Sequence, residues 1–292
     1  MPFFLFVRTF SCSMRQYLQC GRFGFSLDQK AVVMGILNVT PDSFSDGGNF
    51  SKLEFAISRA EEMAAAGAAM IDIGGESTRP GSPGVSVTEE LGRVMPVVYA
   101  LQGLEIPLSV DTCKPEVMRE VIIAGADMIN DINGFRAPGA LEAVRDSECG
   151  LCIMHMQATP KTMQDEPHYD DVLEEVIVFL RERIDAMTAA GIARERICVD
   201  PGFGFGKTVA HNYTLLAGLA RMRDELGLPV LAGLSRKSMI GAVTGRPVEQ
   251  RLAGSLAGAL AAVAQGARIV RVHDVAETVD AINVWQAATS TN

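Results

Sequence analysis

Residues 31 to 75 read AVVMGILNVTPDSFSDGGNFSKLEFAISRAEEMAAAGAAMIDIGG, and this stretch decides the fold class. An apolar run at 31–38 leads through a glycine-containing loop into a segment with the apolar spacing of an amphipathic helix, and a second apolar run follows at 68–75. Continuous apolar runs are typical of strands that are buried on both faces, as in parallel sheets. The stretch therefore predicts a strand–helix–strand unit.

The same order repeats along the rest of the chain. Further apolar runs are PLSVD (107–111), DMINDI (127–132), GLCIMHM (150–156), RICVD (196–200), PVLAGL (229–234) and ARIVRVHD (267–274). Helical segments lie between them, and many end in glycine, the residue favoured just after a helix. Eight strands alternating with eight helices in about 260 residues predict a (β/α)8 TIM barrel in a single domain, with an open doubly wound α/β sheet as the alternative.

The first 27 residues precede this pattern. The run at their start, MPFFLFV, is too short for a membrane span, and it lacks the basic segment and cleavage site of a secretory signal. We expect residues 1–27 to be a poorly ordered extension and residues 28–292 to form the barrel. Deletion of residues 1–20 should then leave stability intact.

Composition narrows the class of function. The net charge of −9 argues against nucleic acid or a membrane surface as a partner, and the 48% of apolar residues suffices for a large core. Six cysteines in 292 residues do not suggest a disulfide framework. Cys149 and Cys152 form a C-x-x-C without a second pair, so we interpret them as ordinary reduced cysteines in a cytoplasmic protein.

Polar residues follow every predicted strand. Because the active site of such a barrel lies at the carboxyl ends of its strands, these residues should converge. They are Asn38, Asp72, Glu76, Asp111, Asn130, Asp131, His155, Asp200, Ser235, Lys237, Arg271 and His273. Carboxylates and amides suit the edge of a flat heterocycle, and the cations, with Arg79, suit an anion such as diphosphate. Asp72 and Asp131 could equally hold a loop or cap a helix.

The stretch DPGFGFGKT (200–208) has the glycines, lysine and threonine of a phosphate-binding loop. That loop requires a glycine where Pro201 stands, and proline has no N–H to offer a phosphate. The segment is therefore not interpreted as a nucleotide site, and Lys207 is predicted to be a solvated loop lysine.

Eight motifs resemble the dihydropteroate synthase family. MGILNVTPDSFSDGG, IDIGGESTRPG, SVDT, INDI, MHMQ, DPGFGFGK, SRKSMIG and RVHDV occur in that family's order across residues 28 to 288. The resemblance implies condensation of 6-hydroxymethyl-7,8-dihydropterin diphosphate with 4-aminobenzoate, a step of folate synthesis. It also implies Mg²⁺ as cofactor and a homodimer.

The resemblance implies a role for each motif residue. For the pterin it implies binding by Asp111, Asn130, Asp200 and Lys237, with the ring between Met154 and Arg271. For diphosphate and Mg²⁺ it implies Asn38 as the metal ligand, with Thr78, Arg79, Arg271 and His273. For 4-aminobenzoate it implies Pro80, Gly204, Phe205, Lys237 and the amide of Ser238. The catalytic set would be Asp111, Asp200, Lys237, Arg271 and His273.

Two other functions remain open at this point. A pterin-dependent methyltransferase of the same barrel class would keep the pterin carboxylates, but it would not need the diphosphate cations. A non-catalytic pterin-binding module would be expected to lose a charged residue from the ring, and none is missing.

Overall fold

A computed structural model describes residues 16–28, 30–40, 49–77, 82, 84–157, 163 and 166–289. Its strands are β1 Tyr17–Cys20, β2 Phe23–Ser26, β3 Val32–Asn38, β4 Met70–Gly74, β5 Leu108–Asp111, β6 Met128–Asp131, β7 Gly150–Met154, β8 Ile197–Asp200, β9 Leu231–Ala232 and β10 Ile269–Val272. The last eight form one parallel sheet in the order β8-β7-β6-β5-β4-β3-β10-β9.

The sheet closes on itself where β8 meets β9. Val199 forms a parallel bridge with Val230, and the Val199 N–H donates to Pro229 O at 3.0 Å. The predicted TIM barrel is confirmed, and the open doubly wound sheet is wrong because its two edges would remain unpaired.

Helices surround the barrel. They are α1 Asn49–Ala65, α2 Val87–Leu101, α3 Pro115–Ile123, α4 Ala140–Val144, α5 Val172–Ala189, α6 Val209–Ala217, α7 Leu219–Leu226, α8 Ser238–Thr244, α9 Leu252–Ala264 and α10 Val275–Thr289. The segment predicted as one helix after β8 is two, α6 and α7, divided at Gly218. A Cβ on Gly218 would lie 2.5 Å from Leu173 Cδ2, so this close approach of α5 requires glycine.

Local sequence explains many helix ends. Ser86, Asp171 and Thr208 each accept a backbone N–H at the start of α2, α5 and α6. Gly227 and Gly245 follow α7 and α8 in the left-handed conformation, with φ of 63° and 68°. The glycines that predicted helix ends therefore serve that purpose.

The N-terminal segment corrects the sequence prediction for residues 16 to 27. Strands β1 and β2 pair as an antiparallel hairpin, and Leu18, Cys20 and Leu27 are fully buried. They pack at the amino ends of the barrel strands against Met34, Met70, Met128, Cys152, Cys198, Leu231 and Ile269. Gly150 makes room, since a Cβ there would lie 2.7 Å from Cys20 Sγ. These residues are core, whereas residues 1–15 lie outside the described residues.

Two further expectations concern the same scaffold. In the part of the chain that the structure describes, no helix combines the length and apolar character needed to cross a membrane. Cys149 and Cys152 are free, and Cys149 Sγ donates to Ala126 O at 2.9 Å. Burial raises the pKa of the Cys149 thiol to about 11. The C-x-x-C pair is therefore reduced and weakly nucleophilic.

Candidate active site

Arg271 stands at the centre of the carboxyl end of the barrel. Its Nε donates to Asp72 Oδ2 at 2.6 Å, and its Nη2 donates to Asp111 Oδ2 at 3.0 Å. Burial opposes the charge, but the two carboxylates outweigh it and raise the pKa of the guanidinium. One fixed cation is thus held between β4, β5 and β10.

Asp72 organises this centre, although sequence reasoning gave it no certain role. Its carboxylate is fully buried and also accepts from Ser109 Oγ at 2.6 Å and from Asn130 Nδ2 at 3.1 Å. The signal was present, because an acidic residue between Ile71 and Ile73 interrupts a buried strand. Asp72 therefore fixes the side chains of Arg271 and Asn130.

Asn130 offers a buried acceptor to a ligand. Its Nδ2 is used by Asp72, while Oδ1 is buried and has no hydrogen-bond partner among the described residues. A buried carbonyl oxygen without a partner is costly, and a bound donor would remove that cost. The amide is therefore oriented to accept from a molecule in the site.

Two further carboxylates, Asp111 and Asp200, end β5 and β8. Burial raises the pKa of Asp111 to about 7 against the opposing charge of Arg271, and burial also raises the pKa of Asp200 against that of Lys237. Asp200 Oδ1 accepts from Gly202 N at 2.7 Å. A Cβ on Gly233 would stand 3.8 Å from Asp200 Oδ2, so glycine leaves that oxygen accessible. Donors on a ligand would stabilise both carboxylates.

Lys237 and the 202–206 loop form another side of the site, here called the second wall. The Lys237 ammonium donates to Phe203 O and lies 4.7 Å from the centroid of the Phe205 ring. Burial lowers the pKa of Lys237 to about 8. Gly204 has φ of 79°, and a Cβ there would lie 3.3 Å from Lys237 Cδ. Glycine is therefore required for the loop to approach this lysine.

An apolar cluster lines the adjoining strand ends. Met154, the last residue of β7, is buried with Ile132, Met156 and Met163, and Phe205 packs against the group. Met154 pairs in register with Asp200. An apolar face thus lies next to the carboxylates, as a flat heterocycle requires.

The remaining predicted residues lie at the rim. His273 Nδ1 is 3.0 Å from Ser235 Oγ, and Asn38 ends β3 opposite Gly74, whose Cβ position would be 3.4 Å from Asn38 Oδ1. Ser238 is the exposed first residue of α8. Thr78, Arg79 and Pro80 lie outside the described residues.

Comparison with known proteins decides the family. The profile of the family described as pterin binding enzyme matches residues 34–273. Dihydropteroate synthase of Escherichia coli K12 is 55% identical over 269 residues, covering 91% of this chain and 95% of that protein. The chain belongs to the dihydropteroate synthase family of pterin-binding enzymes.

Two solved dihydropteroate synthases share the fold. That of Burkholderia cenocepacia, complexed with 7,8-dihydropteroate, is 55% identical with a TM-score of 0.87, covering 94% of this chain and 97% of that one. That of Xanthomonas albilineans, with 4-aminobenzoic acid, is 53% identical with a TM-score of 0.89, covering 95% and 100%. This dihydropteroate synthase is a transferase, and neither the methyltransferase nor the non-catalytic alternative is supported.

Two carboxylates of the predicted ring are structural in this dihydropteroate synthase. Asp131 accepts the N–H groups of Asn133 and Phe135, both at 2.7 Å, and so holds the turn after β6. Glu76 pairs with Lys114, which also binds the buried Glu90. Neither carboxylate is free to hold a substrate.

The prediction of a solvated Lys207 is wrong. Lys207 is 4% exposed, and its ammonium lies 3.0 Å from His155 Nδ1 and 3.0 Å from Gly202 O. The loop contains enough inward carbonyl oxygens to replace water around the charge. Lys207 therefore does not project as the lysine of a phosphate-binding loop does, and the pterin-binding dihydropteroate synthase fold uses this segment differently.

Proposed function

We propose that the strand-end residues of this dihydropteroate synthase perform the condensation of 6-hydroxymethyl-7,8-dihydropterin diphosphate with 4-aminobenzoate, releasing 7,8-dihydropteroate and diphosphate. The observation that carries the assignment is the buried, unpartnered Asn130 Oδ1 at the same strand ends as two carboxylates, Asp111 and Asp200. A pterin edge supplies ring N–H and amino donors to such acceptors. The complexes of the two solved relatives agree with these substrates.

The pterin ring binds between an apolar and a cationic surface. Asp111, Asn130 and Asp200 accept its donors, and the Lys237 ammonium donates to its carbonyl oxygen. Met154 contacts one face of the ring, and the guanidinium plane of Arg271, held by Asp72 and Asp111, contacts the other. Positive charge that develops on the ring is stabilised by the carboxylates.

The diphosphate binds at the rim through Arg271 and His273, with Thr78 and Arg79 of the second loop. Asn38 is a metal ligand through Oδ1. A single amide oxygen at the end of β3 fits Mg²⁺, which keeps several waters and takes most remaining ligands from substrate phosphates. Among described residues no group of three or more His, Cys, Asp or Glu side chains forms a metal site. When bound, Mg²⁺ neutralises charge on the diphosphate.

4-Aminobenzoate binds against the second wall. Its ring contacts Phe205, Gly204 and Pro80, while Lys237 lies beside it. Its carboxylate accepts from the backbone N–H of Ser238 at the start of α8. The amino group then faces the pterin carbon that carries the diphosphate.

The chemistry needs charge stabilisation more than a base. The aniline nitrogen is unprotonated at neutral pH, and among the described residues of the site no side chain is assigned as its base. Opposite charges at about 4 Å contribute about 4 kcal/mol at an effective dielectric near 20, so cations at the leaving diphosphate lower the barrier. The C–O bond therefore breaks before the amine attacks, and the amine loses its proton to solvent afterwards.

A turnover assay tests the function. Purified enzyme with Mg²⁺ and pterin diphosphate should release diphosphate only when 4-aminobenzoate is added. Asp146→Asn is the matched control. Asp146 is exposed and lies far from the carboxyl ends of the strands, so this variant should be fully active. Diphosphate release that ignores 4-aminobenzoate would contradict the assignment.

Isotope exchange tests the order of bond changes. Bridge ¹⁸O of the pterin diphosphate should scramble into nonbridging positions before turnover if C–O cleavage comes first. A rate that depends steeply on amine basicity, without scrambling, would favour direct displacement.

We also propose a cytoplasmic homodimer. Val243, Val248 and Leu252 on and between α8 and α9 are 63%, 43% and 38% exposed, an apolar surface suited to a second copy. Light scattering at micromolar concentration should give twice the chain mass of 31.3 kDa. Val243→Asp should shift it to one chain.

A further inference from the structure

The ammonium of Lys207 is enclosed by the loop that precedes it. Nζ donates to Gly202 O at 3.0 Å and to Phe205 O at 2.9 Å, and it lies 3.0 Å from His155 Nδ1 and 3.4 Å from His155 O. Three ammonium protons therefore find protein acceptors without water. The segment wraps its own lysine as it would wrap a bound cation.

The histidine is an acceptor in this arrangement. Burial, together with the nearby charges of Lys207 and Arg136, lowers the pKa of His155 to about 2, so the ring is neutral. Its ring meets Phe179 edge-on, with centroids 4.9 Å apart. The contact with an ammonium requires the neutral tautomer with its proton on Nε2, which leaves Nδ1 as acceptor.

Alternate glycines give the loop this shape. Gly202, Gly204 and Gly206 have φ of 70°, 79° and 59°, in the left-handed region. A Cβ on Gly202 would collide with His155 O. The turns direct the carbonyls of Gly202 and Phe205 to one point, and Lys207 fills that point.

The other polar groups of the loop bind Lys237 and Asn212. Phe203 O accepts from Lys237, whose ammonium also lies over the Phe205 ring. Gly204 N donates to Asn212 Oδ1 at 2.7 Å. The carbonyls of Gly202 and Phe205 thus bind Lys207, whereas the carbonyl of Phe203 binds Lys237.

Two opposite influences act on the buried charge. Burial lowers the pKa of Lys207, the carboxylate of Asp200 raises it and the charge of Lys237 lowers it, and the pKa that results is about 7. Tyr169 adds a neutral contact, its OH donating to Gly206 O at 2.8 Å. The contacts with Gly202, Phe205 and His155 offset part of the cost of burying this charge.

We infer that Lys207 is a positioning residue for 4-aminobenzoate: through the carbonyls of Gly202 and Phe205 it holds the loop in the conformation that presents the Phe205 ring and the Phe203 carbonyl to Lys237. This inference rests on the proposed function, since it assumes that the second substrate binds at Phe205. Lys207 touches no substrate and acts through the loop.

The test separates the two substrates. Lys207→Met keeps the length of the side chain and removes every donor, which leaves two carbonyls unpaired and frees the loop. The KM for 4-aminobenzoate should rise by about tenfold or more, because small displacements of binding groups are costly. Pterin affinity, measured by calorimetry, should change much less. Lys207→Gln keeps an amide donor, and its KM for 4-aminobenzoate should fall between those of wild type and Lys207→Met.

Arg196→Met is the matched control. Arg196 is also a buried cation, and it donates to the backbone carbonyls of Cys149 and Val144, both at 2.8 Å. It lies just before the amino end of β8, away from the site. Arg196→Met should lower the melting temperature without changing either KM.

Three results would overturn the inference. They are an unchanged KM for 4-aminobenzoate in folded Lys207→Met, equal losses for both substrates, and unfolding of both Lys207 variants while Arg196→Met folds. Failure of the proposed function is distinguished from these outcomes, because wild type would then show no diphosphate release dependent on 4-aminobenzoate.

Discussion

The two ends of the barrel are built from opposite kinds of residue. At the amino end, Leu18 and Cys20 of the hairpin pack against methionine, leucine, isoleucine and cysteine side chains, while the buried charges at this end, Asp127 and Arg196, bind backbone groups. At the carboxyl end, the half-buried Arg271 lies between the carboxylates of Asp72 and Asp111. Apolar burial stabilises a fold, whereas buried charge seldom adds net stability. Substitutions at the two ends should therefore separate stability from binding.

The largest effect is expected from Asp200→Asn at the carboxyl end. An amide cannot accept both pterin donors, and each charge-assisted hydrogen bond is worth about 1.5–3 kcal/mol. Pterin affinity should fall by about a hundredfold or more, while the melting temperature is held or raised because a buried carboxylate is gone. Calorimetry and thermal unfolding measure both, and unchanged affinity would remove Asp200 from the site.

Leu18→Ala should have the reverse effect at the amino end. The fully buried side chain leaves a cavity, so the free energy of unfolding should fall by about 2–5 kcal/mol with both KM values unchanged. Tyr17→Phe, on the exposed side of the same strand, is the control. Deletion of residues 1–20 should be more damaging still, contrary to the expectation from sequence. Wild-type urea stability in Leu18→Ala would show that the hairpin adds nothing.

A pH series sharpens the contrast at Asp111. Its folded pKa of about 7 exceeds the ordinary 3.8, so the folded chain keeps a proton that the unfolded chain loses. This contribution to stability is full below about pH 4 and is lost as the pH rises through about 7. Asp111→Asn should make the free energy of unfolding depend less on pH in that window, by up to about 1.4 kcal/mol per pH unit. If urea denaturation showed the same change in the free energy of unfolding with pH for both proteins, this prediction would be contradicted.

The smallest effect is expected at the thiols. Cys149→Ser keeps a donor to Ala126 O and should alter stability by under about 1 kcal/mol. Iodoacetamide should not label Cys149 or Cys152 in the folded protein, because both are buried and their pKa values are raised. Rapid labelling, read by mass spectrometry, would mean that this end of the barrel opens.

The barrel was predictable because its strands carry a strong signal. Runs such as AAMIDIGG are continuous and apolar, and glycines mark helix ends. The hairpin was missed because each strand has only four residues and β2 reads FGFS, too short for a pattern. Its burial depends on a space at Gly150 that is distant in sequence.

The candidate site was predictable as a set but not as individual contacts. Strand ends place Asp111, Asn130, Asp200 and Arg271 together, as expected. Asp131 and Lys207 differ, because their partners are backbone groups whose direction depends on the folded turn. A lysine is ordinarily exposed, and only converging carbonyls make the burial of Lys207 possible.

The hairpin covers the amino end of the barrel. Side chains fill the interior of such a barrel and the hairpin packs at its amino end, so substrates and product reach the site from the carboxyl ends of the strands. The departing 7,8-dihydropteroate and the arriving pterin diphosphate must then use that end in succession. Product still bound at these strand ends occupies the positions of both substrates, so inhibition by product should be competitive with each of them.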